Sequence, residues 1–569
     1  MKYSYFITGA MFLSCCFIAC KKEKYDFFYD NRQVDDMRSN STTRIVNLGG
    51  VNQLILNNDT LTSYFIGTPI PGVVIKPPGT KYFPNGGSLG ATFFIPKSFM
   101  NQGKANVKLE NVGYQAVNDP LTFVAQEKYN TPIDYYILRG DAYQTGALPR
   151  VIEVPRDVTA PTKPGYFKIR LVNMALQYPR PGDAEPLVKP LSLALADGTL
   201  LSEKTSNIAP GQYSQYIEVP YGTYQFKVLT PAGTEVSALN PPSGEFADVI
   251  DPATSTITKG AQGIPHTVST HLTFAPLKTF QPGGIYTIAV SLDNFTTPYY
   301  VGNPGETSSM WQNGFKIIAD ASEPENTTYS HIQAVNAATG LDKVTVKVNN
   351  TTVGNLEYSQ VSEYSQFVYG QTKIDVQDAA GKSLTTKTLP LPANMNYTVW
   401  VYKTATGDVT FSLVQNTMDG GVYVGGGNGQ DGSYTRRQYS YPFQKRWLNF
   451  CNDIPYASFT YDNGQPASTN NASKYLTPGF VTTDHPYSNS SVGEDPYQVL
   501  VYNSKPGVFP GTWLSQIAPL KSTDFIARKA AYTRGLPNQE PGIYTVALIG
   551  KLQGAGKESA KMIIVKHSK

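Results

Sequence analysis

Three glycine-rich stretches spell catalytic or nucleotide-binding motifs, and each lacks a part that its chemistry needs. Gly86-Gly87-Ser88-Leu89-Gly90 has the spacing of a nucleophile elbow, in which a strand-to-helix turn lifts a serine hydroxyl above a sheet. Here Ala91-Thr92-Phe93-Phe94-Ile95-Pro96 comes next, a strand pattern ended by proline, and the nearest downstream histidine is His266. Turn glycines are the better reading. Gly427-Asn428-Gly429-Gln430-Asp431-Gly432 has dinucleotide-fingerprint spacing, but Ser433-Tyr434-Thr435-Arg436-Arg437 cannot begin an apolar helix. Gly381-Lys382-Ser383 ends like a phosphate loop with Val376 where the leading glycine belongs, so it reads as a hairpin turn. The five histidines, His266, His271, His331, His485 and His567, include no helical i, i+4 pair for zinc, and solvated or turn positions are expected for them. No carboxylate pair is set apart as an acid/base couple. No catalytic residue, metal or cofactor is expected, and the chain is not expected to be an enzyme.

Cys20 is the one residue whose setting predicts covalent chemistry. Lys2 precedes an apolar run from Phe6 to Ala19, and Cys20 is followed at once by Lys21-Lys22-Glu23-Lys24. That is the layout of an export signal, with a positive start, an apolar stretch and a small residue before the cut. Phe17-Ile18-Ala19-Cys20 resembles the lipobox of bacterial lipoproteins, in which the cysteine is acylated and becomes the new N-terminus. Phe12-Leu13-Ser14-Cys15 is a rival box, and an ordinary secretory signal is the other alternative. Cys20 is preferred because the apolar run continues through it. After removal of 1–19, Cys451 is the only other cysteine, so no internal disulfide is possible. Residues 20–43 read as the lipidated cysteine and a flexible tether of roughly 27 Å if random.

The elements behind these residues read as all-β. The chain has 569 residues, far more than one core can hold. It is rich in Tyr (38), Gly (49) and Pro (41), and only 16% of it is charged, a balance of strand formers and turn formers. A net charge of +4 gives no footing for nucleic acid. Four short strands end in asparagine, at Asn47, Asn173, Asn336 and Asn449, spaced 126, 163 and 113 residues apart. Each is followed by a tyrosine-centred strand: Asp134–Leu138, Ile285–Val290, Asn396–Val401 and Ile543–Leu548. The unequal spacing argues against a solenoid or propeller. Between the markers lie period-2 runs such as Val344-Thr345-Val346-Lys347-Val348, the pattern of antiparallel sheets with one buried and one wet face. Linkers are expected at Pro155–Gly165, Asp320–Thr328 and Met418–Ser433. The expected fold is therefore tandem immunoglobulin-like antiparallel β-sandwich domains behind a lipoprotein signal peptide: unit 1 over 44–160 (divergent), unit 2 over 165–320 with insertions, unit 3 over 329–418 and unit 4 over 434–569.

Asn449, Asp453-Ile454-Pro455-Tyr456-Ala457 and Phe459-Thr460-Tyr461-Asp462-Asn463-Gly464 resemble the opening of the bacterial domain of unknown function 4397, whose units close on a Tyr-Thr strand as at Tyr286-Thr287, Tyr397-Thr398 and Tyr544-Thr545. Units 3 and 4 match best, unit 2 carries long insertions, and unit 1 lacks the closing threonine. The resemblance implies fold and location without chemistry. Similar lipoproteins occur in Bacteroidetes, where a charged stretch after the cysteine accompanies surface display.

In the closing strands Tyr286, Ile288 and Val290 share the core face, as do Tyr397, Val399 and Val401, and Tyr544, Val546 and Leu548. By this register Trp400 and Tyr402 point outward, where they are a candidate aromatic platform for a ligand, with Asn394, Asn396 and Lys403 beside it. The alternative is that the strip packs on a neighbouring unit. Trp447 points into a core, and Trp311 and Trp513 read as loop residues. The expected protein is a non-catalytic lipoprotein of the outer membrane, anchored by lipid and displayed on the cell surface or on the periplasmic face. It would bind glycan, matrix material or a surface protein; a structural stalk is the alternative, and a secreted hydrolase the third reading. A glycan binder should present exposed aromatics, whereas a stalk should bury them between consecutive units.

Overall fold

The structure, a computed structural model, describes residues 40–63, 78–84, 86–112, 119–128, 130–140, 148–177, 187–236, 238–239, 249–251, 256–258, 272–273, 277–298, 307–416, 443–462, 464–468, 471–482, 486–490, 496–531, 536, 539–540 and 542–569. Cys20, the Met418–Ser433 linker, the Gly427–Gly432 stretch and His266, His271 and His485 lie outside the described residues. The described chain is all-β, and its helical turns are 3-10 segments of three or four residues.

Its sheets fall into four groups that repeat one plan. In unit 3, one sheet has the order Ser365–Val368, Tyr329–Asn336, Asn396–Lys403, Val409–Asn416, and the other Thr351–Glu357, Lys343–Val348, Gly370–Gln377, Ser383–Leu391. Val344, Val346 and Val348 of one layer share a core with Ala334, Tyr397, Val399 and Val401 of the other. Unit 1 is built alike from Thr92–Pro96, Asn40–Asn47, Ile133–Ile137 and Val151–Pro155 over a second four-stranded sheet. Its first strand opens at Asn40, inside the stretch read as tether. Unit 4 pairs Tyr487–Ser490, Phe443–Asn449, Gly542–Ile549 and Lys561–Lys566 above a sheet containing Ala457–Tyr461, Gln498–Lys505 and Val508–Trp513. Unit 2 extends the plan, with Ile285–Pro298 and Thr307–Ala319 running as a long hairpin.

One pair common to all four units departs from the antiparallel expectation, and in unit 2 Ala238–Leu239 also runs parallel to Thr307–Ala319. The opening and closing strands run parallel, with Ile45 opposite Tyr135, Leu171 opposite Ile288, Ala334 opposite Val399, and Trp447 opposite Val546. Parallel neighbours need a long crossover, and here the second sheet of each unit is that crossover.

The repeated asparagine has a structural job at this crossover. Asn449 Nδ2 donates to the Ile454 and Leu476 carbonyls at 2.7 and 3.0 Å, while its Oδ1 accepts from the Cys451 N–H at 2.9 Å. Asn173 does the same with Lys189, Ile208 and Ala175. Asn336 bonds Leu356 and Ala338, and Asn47 bonds Val51 and Gly90. A buried strand end leaves carbonyls and amides that must be paired, and one amide side chain serves both kinds. The closing tyrosine is likewise a clamp: the Tyr544 hydroxyl donates to the Glu540 carbonyl at 2.8 Å, and the Tyr286 hydroxyl to Glu323 at 2.6 Å.

The opening and closing strands are not wet on their outer face. Every residue of Gly542–Ile549 is buried, as are seven of eight in Tyr329–Asn336. The reason is stacking between units. Val46, Tyr136 and Leu138 of unit 1 pack on Val172, Met174, Ala289 and Ile318 of unit 2. Val335, Trp400 and Val414 of unit 3 pack on Leu448, Phe450, Ala547 and Ile549 of unit 4. The chain also folds back: Leu277 of unit 2 clusters with Tyr487 and Ile543 of unit 4. The Gln225 N–H donates to the Lys569 carbonyl at 2.8 Å, and the Lys569 N–H to the Thr223 carbonyl at 3.0 Å.

Candidate functional site

The motif residues of the sequence take structural places. Ser88 is exposed in a turn whose glycines, Gly86 and Gly87, have φ of 127° and 65°, and the strand Thr92–Pro96 comes after it. Gly381 closes a hairpin in which the Asp378 N–H donates to the Lys382 carbonyl at 3.0 Å. Cys451 is a free thiol inside the unit 4 core, and burial pushes its pKa up to about 11, far from a reactive thiolate.

Trp400 and Tyr402 lie off their own core face, as the register requires, but they form no exposed platform. Trp400 is 0% exposed and stacks on Phe450 of unit 4 with ring centroids 4.9 Å apart. Tyr402 lies 5.0 Å from the same ring and is half-buried. The Ser412 hydroxyl donates to the Tyr402 hydroxyl at 3.3 Å, and a Cβ on Gly479 would collide with it. Of the neighbours expected to offer hydrogen bonds, Asn396 is buried against His331, with 3.1 Å between Oδ1 and Nδ1. The platform is a seam.

His331 and His567 are seam residues too, not solvated ones. His331 stacks on Tyr221 of unit 2 at 3.9 Å between centroids, and burial lowers its pKa to about 4. His567 sits between Thr545, at 2.7 Å from Nε2, and Gln333 and Tyr364, each 3.0 Å from Nδ1. Burial, and then the charge of Arg446, hold it well below the usual histidine range.

The seam between units 1 and 2 holds a charge network. Arg44 grips Asp134 through Nε and Nη2 at 2.9 and 2.6 Å, and the same Nη2 donates to Asp320 at 2.6 Å. Arg156 also pairs with Asp134, and the Tyr216 hydroxyl and the Thr287 hydroxyl donate to Asp320 at 2.8 and 2.5 Å. Burial alone would raise the Asp134 pKa; Arg44 and Arg156 outweigh it and hold the carboxylate below its usual range. Asp320 and Arg156 belong to stretches read as linkers, yet both are buried.

Exposed aromatic residues occur on several units, among them Tyr213, Tyr369 and Phe480, and on unit 4 several half-open rings stand together. Trp513 is 49% exposed at the end of Val508–Trp513, an edge strand rather than a loop. Tyr502 is its cross-strand partner. Phe509 meets Tyr475 edge-on at 6.4 Å, and Lys474 Nζ lies 5.3 Å from the Phe509 ring centroid. Lys505 and Val508 face each other at the hairpin tip, and both are exposed. The signal for this hairpin is Lys505-Pro506-Gly507, a turn between two aromatic runs.

The profile of the domain of unknown function DUF4397 matches residues 330–421, the span of unit 3. Unit 3 resembles that domain. No curated protein matches the chain. Among solved structures, a family 41 carbohydrate-binding module from streptococcal virulence factors, studied for alpha-glucan recognition, aligns at 12% identity over 41% of this chain and 96% of its own, with a TM-score of 0.13. A candidate cell adhesion protein of Bacteroides uniformis aligns at 9% identity over 45% of this chain and 98% of its own, again with a TM-score of 0.13. Another from Bacteroides ovatus aligns at 10% over 44% and 96%, with a TM-score of 0.12. Scores this low do not bear on the fold, which rests on the strand pairing above.

Proposed function

We propose that this chain is a non-catalytic lipoprotein of the cell surface that binds glycan or matrix material, with its four sandwiches acting as one rigid head. The observation that carries this reading is the contact of unit 4 with unit 2. Consecutive units of an extended stalk touch only their neighbours. Here unit 4 reaches past unit 3 to pair Lys569 with Thr223 and Gln225, and to pack Ile543 and Tyr487 on Leu277. A closed body of this kind holds a binding surface still, which limits the entropy lost on association.

The structural-scaffold reading keeps one observation in its favour, the burial of Trp400 and Phe450 between consecutive units. Retention of the full-length chain on a panel of polysaccharides and matrix proteins separates the two. Binding to at least one immobilised polymer is the expected result, and retention on none would leave the scaffold reading. Location is tested apart from binding. Cys20→Ala should abolish detergent partitioning and palmitate labelling; label that survives in Cys20→Ala and is lost in Cys15→Ala would move the anchor to Cys15.

A further inference from the structure

We propose that the outer flank of the Gln498–Lys505 and Val508–Trp513 hairpin binds an anionic polysaccharide, one bearing carboxylate or sulfate groups. The proposal rests on the binding reading above and names its site and ligand class.

Two features of the flank point to a sugar chain. The first is a strip of half-open aromatic residues. Trp513 stands opposite Tyr502 near one end, and Phe509 with Tyr475 forms the other end at the hairpin tip. Between them a Cβ on Gly464 would lie 3.8 Å from the Tyr502 hydroxyl and 3.6 Å from Pro510, so these two groups flank one point of the surface. Gly511, at φ 94°, lets the strand pass close to its partner, since a Cβ there would strike the Asn503 carbonyl. The second is the mix of groups along the strip. Flat rings beside a hydroxyl, here that of Tyr502, suit the alternating apolar faces and hydroxyl edges of pyranose rings; Asn503 and Thr512, one step along each strand, face the other side of the sheet.

Charge decides between a neutral and an acidic chain. Lys505 is exposed at the tip and makes no ion pair among the described residues, and Lys474 Nζ lies over the Phe509 ring. Asp462, which is described on this flank, accepts from the Gln498 N–H through its carboxylate at 2.8 Å. Among the described residues, two cations therefore stand beside the aromatic strip, and the carboxylate of Asp462 is engaged by a backbone N–H. That is complementary to a polyanion. The exposed edge of Val508–Trp513 could also accept a protein strand, but such pairing uses the backbone and would be indifferent to the lysine charges.

Affinity gel electrophoresis of the full-length chain in gels containing polygalacturonate, chondroitin sulfate or dextran tests the site. Retardation by one or both acidic polymers and not by dextran is expected, and which of the two acts tells carboxylate from sulfate recognition. Trp513→Ala should weaken it about tenfold, and Trp513→Phe should restore most of it. Lys474→Gln combined with Lys505→Gln should weaken it severalfold and remove most of its sensitivity to added NaCl. Unfolding temperatures should not move with any of these, because the altered side chains are half-buried or exposed. Equal retardation by dextran, or Trp513→Ala behaving as the parent, overturns the site. If a polymer is still bound under those outcomes, the broader binding reading survives. If none of the three polymers is bound, this site falls, and the broader reading falls only if the wider panel of polysaccharides and matrix proteins retains nothing.

Discussion

Arg44 and Asp320 lie 276 residues apart in the chain, and Arg44 Nη2 donates to Asp320 Oδ1 at 2.6 Å with both side chains wholly out of water. Arg44 belongs to the opening strand of unit 1, and Asp320 comes just after the last strand of unit 2. Burying such charges carries a large desolvation cost, and only near-complete pairing offsets it. The network therefore fixes one orientation of the two units more than it adds net stability.

Removing one partner should then be expensive. Asp320→Ala leaves the Tyr216 and Thr287 hydroxyls without their acceptor and Arg44 with Asp134 as its one carboxylate, a loss of about 3–5 kcal/mol for a broken buried pair. Denaturant unfolding should show that loss, and limited proteolysis should open the exposed stretch around Val158–Pro164. Asp320→Asn, which keeps an acceptor, should fall between. A parent-like midpoint for Asp320→Ala would mean that the two units are held by Val46, Tyr136 and Ile318 alone.

The sequence carried the core faces but not the seams. Tyr286, Ile288 and Val290 alternate with Thr287 and Ala289, and the first set is the core of unit 2 as alternation requires. Thr287 and Ala289 look like a solvent face because they are small or polar, yet both are fully buried. Their partners, Asp320 and the apolar residues of unit 1, are distant in sequence, and no local pattern announces that two outer faces will meet. Trp400 shows the same limit. Its direction follows from period 2, but its burial depends on Phe450 in another unit. Trp513 was hidden differently, because the register of its strand slips between Asn503 and Lys505 and the alternation is lost. Lys445 occupies a core-facing position inside unit 4, ringed by Tyr461, Tyr497 and Phe525 at 4.5–5.6 Å, where cation–π contact substitutes for water.

Asn449→Ala tests the strand-end clamp. It strands the Ile454 carbonyl and the Cys451 N–H in the interior, while the Leu476 carbonyl keeps the Ala457 N–H; at the usual cost of an unmet buried group that is about 2–4 kcal/mol. Asn449→Asp keeps the acceptor for the Cys451 N–H and sets a charge against the Ile454 and Leu476 carbonyls, so it should be at least as damaging. Both are read from chemical unfolding. A change below about 0.5 kcal/mol for Asn449→Ala would show that water replaces the side chain without cost.

Acidification should loosen the contact of unit 2 with unit 3 through His331. Burial lowers its folded pKa to about 4, against about 6.5 in an unfolded chain. A histidine depressed in this way contributes its full stability above pH 6.5 and loses it as pH falls towards 4. The whole shift corresponds to about 3 kcal/mol. Tyr221, Asn396 and Tyr364 face the ring and Lys569, paired with Glu363, adds a cation nearby, so none of the described groups against the ring is a carboxylate that would offset a protonated His331. His567 is shifted the same way and adds to the loss. Unfolding midpoints of the parent and of His331→Gln, compared at pH 7.5 and 4.5, should show a shallower acid loss in the variant. Parallel losses would assign the acid sensitivity elsewhere.

The seam between units 3 and 4 changes what cutting the chain should do. A fragment beginning near Tyr434 would be soluble alone if unit 4 closed its own surface. In the structure it would bare Leu448, Phe450, Ala547, Ile549 and Val565, all buried against unit 3, together with Tyr487 and Ile543. That fragment should self-associate. The cleaner test keeps the chain whole until it has folded. A specific protease site placed within 417–442 should be cut without separating the halves, which should co-elute on size exclusion. Trp400→Ala removes the largest side chain of the seam, at about 3–5 kcal/mol for a buried tryptophan, so the cut halves of that variant should come apart or precipitate. Clean separation of the cut parent into two soluble, β-rich pieces would mean that each unit closes independently and that Trp400 and Phe450 meet without holding anything together.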